Sequence, residues 1–253
     1  MTTHKAVGGG AINSSEKGFL ALPWDAWLAC AVFLVVAAAG VWLRPAISVG
    51  ETRYLTITWN MWLTGNHIVP TLDGVAYGHK PPLLFAVMEK VWNLTGPVES
   101  VARLVPPFIT AMCFLLIAAA AKLLWPERST VAAMAPPLLL SFVVFIIMGQ
   151  TVMFDGALTF FALVSLTGLL LLLRGKPAAG TLLFGAGLGL GLLTKGPVIL
   201  TFTLPAALLY PIWREPVPES PAFGQWYAQI GAGLMLGAAM GLAWAFLAIN
   251  ATG

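Results

Sequence analysis

Ser48-Val49-Gly50-Glu51-Thr52-Arg53-Tyr54-Leu55-Thr56-Ile57-Thr58-Trp59-Asn60-Met61-Trp62-Leu63 stands between two long apolar segments of the chain. Its charges cannot lie in hydrocarbon, and its apolar residues recur with a helical period. Ser48-x-x-Glu51 reads as a capping box opening a helix. Leu55, Trp59, Trp62 and Leu63 share one face, while Thr52, Thr56 and Asn60 share another. This is the pattern of an amphipathic helix lying in a membrane interface, with tryptophans at headgroup level. Gly65-Asn66 suits its C-terminal end, and Asp73-Gly74 marks a turn. Pro81-Pro82 then opens a second helix, because proline fits the first helical turn. Leu84, Met88, Val91 and Trp92 give that helix an apolar stripe, and Gly96-Pro97 ends it. The segment 44–100 therefore reads as a folded outer loop holding two interfacial helices.

Outward from this loop the chain is apolar. Of 253 residues 59% are hydrophobic and only 9% charged, where a soluble domain carries about 25% charge. The expected fold class is an all-α polytopic membrane protein. About 20 apolar residues are needed to cross a bilayer. Seven stretches qualify or nearly qualify: 24–43, 101–124, 131–149, 152–173, 178–194, 197–213 and 224–249. About seven transmembrane helices are thus expected. The fifth and sixth stretches are short and separated by Lys195-Gly196-Pro197, so two spans or a broken hairpin both fit. Residues 1–23 form a polar tail. Ala37-Ala38-Ala39 resembles a signal-peptidase site, but the preceding apolar run is longer than the roughly 7–15 residues of a signal sequence, so 24–43 reads as a retained span. A net charge of +3 does not suggest nucleic-acid binding. Cys30 and Cys113 both lie in apolar segments and cannot make a disulfide framework or a metal cluster.

Orientation follows from lysine and arginine in short loops. One side collects Lys5, Lys17, Lys122, Arg128, Arg174, Lys176 and Arg214. The other holds Arg44, Arg53, Lys80, Lys90, Arg103 and Lys195. Most of the second group belongs to or flanks the folded loop, whereas the short connections of the first group are almost all basic. The expectation is a cytoplasmic N-terminal tail, a periplasmic loop 44–100, and a multi-pass protein of a bacterial inner membrane.

With that topology the ionisable groups least expected in a membrane converge on the outer face: Glu51, Arg53, His79, Lys80, Arg103, Asp155 and Lys195. Such groups are costly there and are functional candidates. Each has a structural alternative. Glu51 can merely complete the capping box, Arg53 and Arg103 can reach out to lipid headgroups, Lys195 can end its helix at the interface, and His79 can simply pack. Asp155 is harder to dismiss, because it follows Phe154 and precedes small and apolar residues. Lys80 precedes a proline-opened helix, where an ammonium and a helix N-terminus favour an anion. Gly187-Leu188-Gly189-Leu190-Gly191 lies inside an apolar span with no preceding strand. It therefore reads as a close-packing device and not a dinucleotide loop.

Taken in order, Gly50-Glu51-Thr52-Arg53-Tyr54, Gly65-Asn66-His67-Ile68-Val69-Pro70, Leu72-Asp73-Gly74, His79-Lys80-Pro81-Pro82-Leu83, Arg103-Leu104-Val105-Pro106, Met153-Phe154-Asp155 and Leu193-Thr194-Lys195-Gly196 resemble the GT-C glycosyltransferases. The closest branch looks like the lipid A aminoarabinose transferases and protein O-mannosyltransferases. The resemblance runs from about residue 24 to the end. It implies a GT-C-like domain over 24–253 that moves a sugar from a polyprenyl-phosphate donor to a lipid or protein acceptor on the periplasmic face. Carried over residue by residue it implies that Lys80 binds the donor phosphate; Arg103 and Lys195 are further candidate cations for that phosphate, and Glu51 or Asp155 the candidate catalytic carboxylate. Arg53, Tyr54, Tyr77 and His79 would line the substrate pocket. No cofactor is fixed by the resemblance and a divalent metal stays open, although His79 stands where the aminoarabinose branch has an acidic metal ligand. Two departures stand out. The family's first acidic residue is Gly50 here, and family members usually continue with more spans, so a C-terminally truncated chain is expected.

Chemically, the leaving group would be a polyprenyl phosphate, whose developing charge needs cations, and an acceptor hydroxyl would need a base. A phosphate acceptor is already anionic and needs little such help. The alternative from another class is a catalytically inactive membrane module that binds lipid-linked sugar or a partner half. A small transporter fits less well, because its polar residues should line a midplane path.

Overall fold

The computed structural model describes residues 22–214 and 220–252. The polar tail expected over 1–23 lies almost wholly outside them. In chain order the elements are α1 (Trp24–Leu43), α2 (Glu51–Thr64), β1 (Thr71–Leu72), β2 (Val75–Ala76), α3 (Leu83–Thr95), α4 (Glu99–Leu124), α5 (Ser129–Leu140), α6 (Val143–Gly149), α7 (Phe154–Leu173), α8 (Pro177–Lys195), α9 (Val198–Leu208), α10 (Tyr210–Trp213) and α11 (Phe223–Thr252). The all-α polytopic class expected from composition is the class found, with one two-stranded antiparallel hairpin added in the outer loop.

Among the described residues five helices, α1, α4, α7, α8 and α11, are long and apolar enough to cross a membrane. Six result if α5 and α6, bent by 68° at their junction, count as one span. The expected count of about seven is not reached on length. The stretch 197–213 breaks into the 11-residue α9, with Pro205 inside it, and the four-residue α10. Proline removes a backbone donor and crowds the preceding turn. Helix direction nevertheless returns the chain at both broken places. Arg174, at the end of α7, donates to the Leu123 and Leu124 carbonyls at the end of α4, so α4 and α7 run the same way. Along α8 and α11, Gly185 meets Gly233 and Leu236, and Gly189 meets Met240, so these two are parallel as well. Each parallel pair requires an intervening return, made by α5–α6 and by α9–α10.

The glycine ladder of α8 serves three neighbours. Residues two apart on a helix point about 200° apart. Gly187 faces Phe161 and Ser165 of α7, Gly189 faces Met240 of α11, and Gly191 faces Ile199 of α9. At Gly187 van der Waals contact runs to the α7 backbone, while at Gly189 and Gly191 the Met240 and Ile199 side chains seat directly on the α8 backbone, the form of attraction available in lipid.

In the outer loop, Gly65 ends α2 at φ 65° and Gly96 ends α3 at φ 81°. Asp73 and Gly74 turn the hairpin at φ 52° and 77°, both in the left-handed region such a turn demands. Two readings need correction. Ser48 makes no capping hydrogen bond, and α2 opens at Glu51 behind Gly50. The buried residues of α2 are Glu51, Tyr54, Leu55, Ile57, Thr58 and Met61, so Leu55 of the expected stripe faces in, while Trp59 and Leu63 stay exposed. On a helix this apolar on two sides, the inward face is chosen by the shape of α3 and α4, not by hydrophobicity. The outer core joins Tyr54, Ile57 and Met61 to Phe85, Met88 and Trp92 of α3 and to Phe154 of α7.

A Cβ at Gly185 would stand 2.7 Å from the Gly233 carbonyl oxygen, whereas one at Gly231 would meet nothing. Gly185→Leu is therefore expected to destabilise the chain by about 1–3 kcal/mol through overpacking. Gly231→Ala should leave the unfolding midpoint in detergent unchanged or slightly raised. Equal midpoints for the two variants would refute the seam.

Candidate active site on the outer face

Glu51 is the anchor of the region. It is 1% exposed, and its carboxylate accepts from Arg44 with both oxygens. Oε2 also takes the Ile47 N–H and Oε1 the Val152 N–H, each at 2.8 Å. The expected cap thus survives in altered form: the side chain reaches back, but to Ile47, and the short link between carries Val49 at φ 67°. A β-branched residue there is strained by about 1–3 kcal/mol, and the carboxylate is what holds it. Burial alone would push the Glu51 carboxyl up. Arg44 and the two backbone donors outweigh it and hold the group below the ordinary glutamate range. Arg103 supports the same cluster. It is 4% exposed, donates to the Arg44 carbonyl at 3.0 Å and pairs with Glu99. Glu51 and Arg103, read from sequence as catalytic and phosphate-binding, are occupied in holding α1, α2, α4 and the start of α7 together.

Asp155 stands apart from that cluster. It lies in the first turn of α7 with a half-exposed side chain, ion-paired to Lys195 at the end of α8. Its neighbour Phe154 turns the other way, into the core, edge-on to Tyr54 and Phe85 at 5.0 and 5.2 Å. Lys80 Nζ rests over the Phe154 ring, 6.0 Å from its centre. Among the described residues no carboxylate lies within ion-pair reach of Lys80 or Arg53. The Arg53 Nε is buried without a partner.

Two cavities meet at Gly78 and His79. One, of about 560 Å³, is lined by Arg53, Leu72, Val75, Tyr77 and His79. Burial pushes the Tyr77 phenol up, against the pull of the Arg53 charge, so it is a neutral hydroxyl at ordinary pH. The second, of about 740 Å³, runs between α8 and α11, with His79, Pro81, Lys195 and Trp244 at its polar end and Leu192, Ala238 and Leu242 along it. The sequence candidates therefore fall into three sets. Glu51 and Arg103 form the anchor. Arg53, Tyr77 and His79 line the polar cavity, with Tyr54 beneath the Arg53 guanidinium, 5.4 Å from its carbon. Lys80 lies over Phe154, and Asp155 next to Phe154 pairs with Lys195, which lines the apolar cavity. No group of three or more His, Cys, Asp or Glu side chains able to hold a metal occurs among the described residues, and His79 alone does not fit one. Sequence reasoning missed Arg44 as the partner of Glu51, for which a basic residue closing a span just before the loop was the available signal.

Glu51→Gln keeps the shape but turns an amide donor toward Arg44. It should cost about 3 kcal/mol at pH 7. Because the folded-state pKa of Glu51 is depressed, its contribution is fully present above the unfolded value near 4.5. It is lost as pH falls through the folded value. Unfolding of wild type and Glu51→Gln should therefore converge as pH falls through the depressed folded value; a gap that stays constant from pH 7 down would refute the assignment.

Comparison with known proteins places this geometry. Residues 24–251 match the family model of dolichyl-phosphate-mannose-protein mannosyltransferase. The chain is 30% identical over 196 residues to an undecaprenyl phosphate-alpha-4-amino-4-deoxy-L-arabinose arabinosyl transferase of Aeromonas salmonicida, covering 76% of this chain and 36% of that protein. In structure it is similar to ArnT from Cupriavidus metallidurans in the apo state, with a TM-score of 0.73 and 22% identity, over 93% of this chain and 42% of that one. The crystal structure of the same ArnT bound to undecaprenyl phosphate gives a TM-score of 0.69 and 22% identity, over 88% of this chain and 41% of that one. The chain thus spans little more than a third of the length of such curated relatives, and it shares the GT-C fold with these structures. By the match across nearly all of its described residues, the chain belongs to the dolichyl-phosphate-mannose-protein mannosyltransferase family.

Proposed function

We propose that the chain carries the outer-face site of a membrane glycosyltransferase that moves a sugar from a polyprenyl phosphate to a lipid or protein acceptor. The observation that carries this reading is Lys195, ion-paired to Asp155, lining an apolar cavity together with His79 and Pro81, the chain neighbours of Lys80. An apolar channel with cations only at its end suits a long prenyl chain ending in phosphate. The family match and the undecaprenyl phosphate named in the ArnT structure support the same ligand. In this reading the bacterial inner membrane holds the protein, with the N-terminal tail cytoplasmic and the loop 44–100 periplasmic.

In the reaction the bond between the sugar C1 and the phosphate oxygen breaks, and its electron pair stays on the phosphate. Lys80 and Lys195 stabilise that charge where it develops. The acceptor oxygen attacks C1, and Asp155 takes its proton when the acceptor is a hydroxyl. The Asp155–Lys195 pair loosens as Lys195 turns to the phosphate, which frees the carboxylate at the moment a base is needed. Arg53, Tyr77 and His79 hold the polar end of the donor in the second cavity. Glu51 and Arg103 act indirectly, by fixing the start of α7. The comparisons do not favour a purely binding module.

The test is turnover of polyprenyl-phosphate sugars by the purified chain in liposomes, read as free polyprenyl phosphate. Lys80→Ala should lower kcat/KM about 100-fold, and Asp155→Asn should lower kcat by a similar factor with a hydroxyl acceptor. Donor binding without release would turn the reading toward a binding module, and neither binding nor release would overturn it. Position 50 gives a gain-of-function arm. A Cβ at Gly50 would meet only the Met153 methyl, at 3.5 Å, so Gly50→Asp is accommodated. It is expected to raise hydroxyl-acceptor turnover with an unchanged unfolding midpoint; a fall in turnover would show that the site works as a single-carboxylate centre.

A further inference from the structure

Glu89 is a carboxylate in the wrong place for an amphipathic helix. It lies on α3 in the outer core, 1% exposed, between Met88 and the buried Phe85 and Trp92. Oε1 accepts from Asn93 on the next turn. Oε2 has His67 Nδ1 at 2.9 Å, off the line of a good hydrogen bond, and Lys90 Nζ only at 3.6 Å. A buried carboxylate is tolerated when a cation stays beside it. Lys90 is largely exposed, so the close partner is His67, which reaches in from the loop between α2 and the hairpin.

That loop leads directly to the substrate site. Asn66 Oδ1 accepts from the Ile68 and Val69 N–H groups, both at 3.1 Å. Trp244 of α11 donates to the Ile68 carbonyl at 3.0 Å. Asn60 of α2 donates to the Thr71 carbonyl. Across the hairpin, Tyr77 N–H donates to the Pro70 carbonyl at 2.8 Å. A continuous set of contacts therefore runs from Glu89 through His67 and residues 68–70 to Tyr77, and Tyr77-Gly78-His79-Lys80 follows at once. The same segment closes the apolar cavity against α8 and α11.

We propose that His67 and Glu89 form a latch that sets the position of segment 77–80, so that both are positioning residues for donor binding. The consequence for donor affinity rests on the reading of the cavity given above. The latch itself does not. It fastens the entry of the loop to α3, the helix that the exit of the loop begins, and so closes the chain between positions 67 and 89 into a ring with α11 pressing from outside.

The test uses the purified chain in lipid nanodiscs, with His67→Gln, Glu89→Gln, the double variant, and His67→Lys, which places an ammonium beside the carboxylate. Amide hydrogen exchange over 66–80 and the affinity for undecaprenyl phosphate are measured. Each Gln variant is expected to speed exchange about tenfold within 66–80 and to weaken binding about tenfold. The double variant should match the singles, as two halves of one interaction do, and His67→Lys should recover both. Unchanged exchange over 66–80 in the single variants overturns the latch, as do single effects that add in the double variant or exchange that rises equally through α3 and α4. Faster exchange in the variants, with no undecaprenyl phosphate binding by the wild-type chain, keeps the latch and removes the donor reading.

Discussion

The outer face is organised by one buried carboxylate. Glu51 gathers a guanidinium from the end of α1, an amide from the turn before α2, and an amide from the turn before α7. A carboxylate this buried is stable only with its acceptors filled, so the three segments cannot drift independently. Phe154 and Asp155 are placed by that constraint. Val152 is tied down, Phe154 turns into the aromatic cluster of Tyr54 and Phe85, and Asp155 is left facing Lys195. The chemistry attributed to Asp155 therefore depends on a glutamate more than one hundred positions earlier that lines neither of the two cavities at His79.

Much of the fold could be read from local chemistry. Gly65, Asp73-Gly74 and Gly96 stand where positive φ is required, and Pro81-Pro82 opens a helix as expected. The length of the spans was legible where apolar runs were uninterrupted. It was not where Pro205 and the α5–α6 bend divide a run, because hydropathy averages over a break that the backbone cannot. The inward face of α2 was read only in part, at Leu55, since Ile57 and Met61 are as apolar as Trp59 and Leu63, and periodicity cannot choose between two such rows.

The candidate site was legible as a list and not as an arrangement. Lys80, Asp155 and Lys195 were marked because ionisable groups near a membrane are expensive, and the structure brings Asp155 and Lys195 together. Glu51 and Arg103 were marked by the same rule, yet their expense is met by each other's neighbourhood. Sequence cannot separate the two cases, because the difference lies in whether a partner arrives from another segment. Glu89 was missed for the converse reason: a glutamate beside a lysine on a helix looks solvated, and only the arrival of His67 explains its burial.

The three-way glycine ladder of α8 bears on how the chain assembles. Gly187, Gly191 and Gly189 find their partners on α7, α9 and α11 in that order, helices that leave the ribosome before, just after and well after α8. The first pairing is available at once, but the side of α8 that faces α11 has nothing to rest on until α9 and α10 have doubled back. Contacts between segments so distant in sequence form late. During synthesis α8 is thus a half-docked helix with a bare backbone groove toward lipid, and insertion of α11 is the step that completes the wall of the cavity in which Lys195 sits.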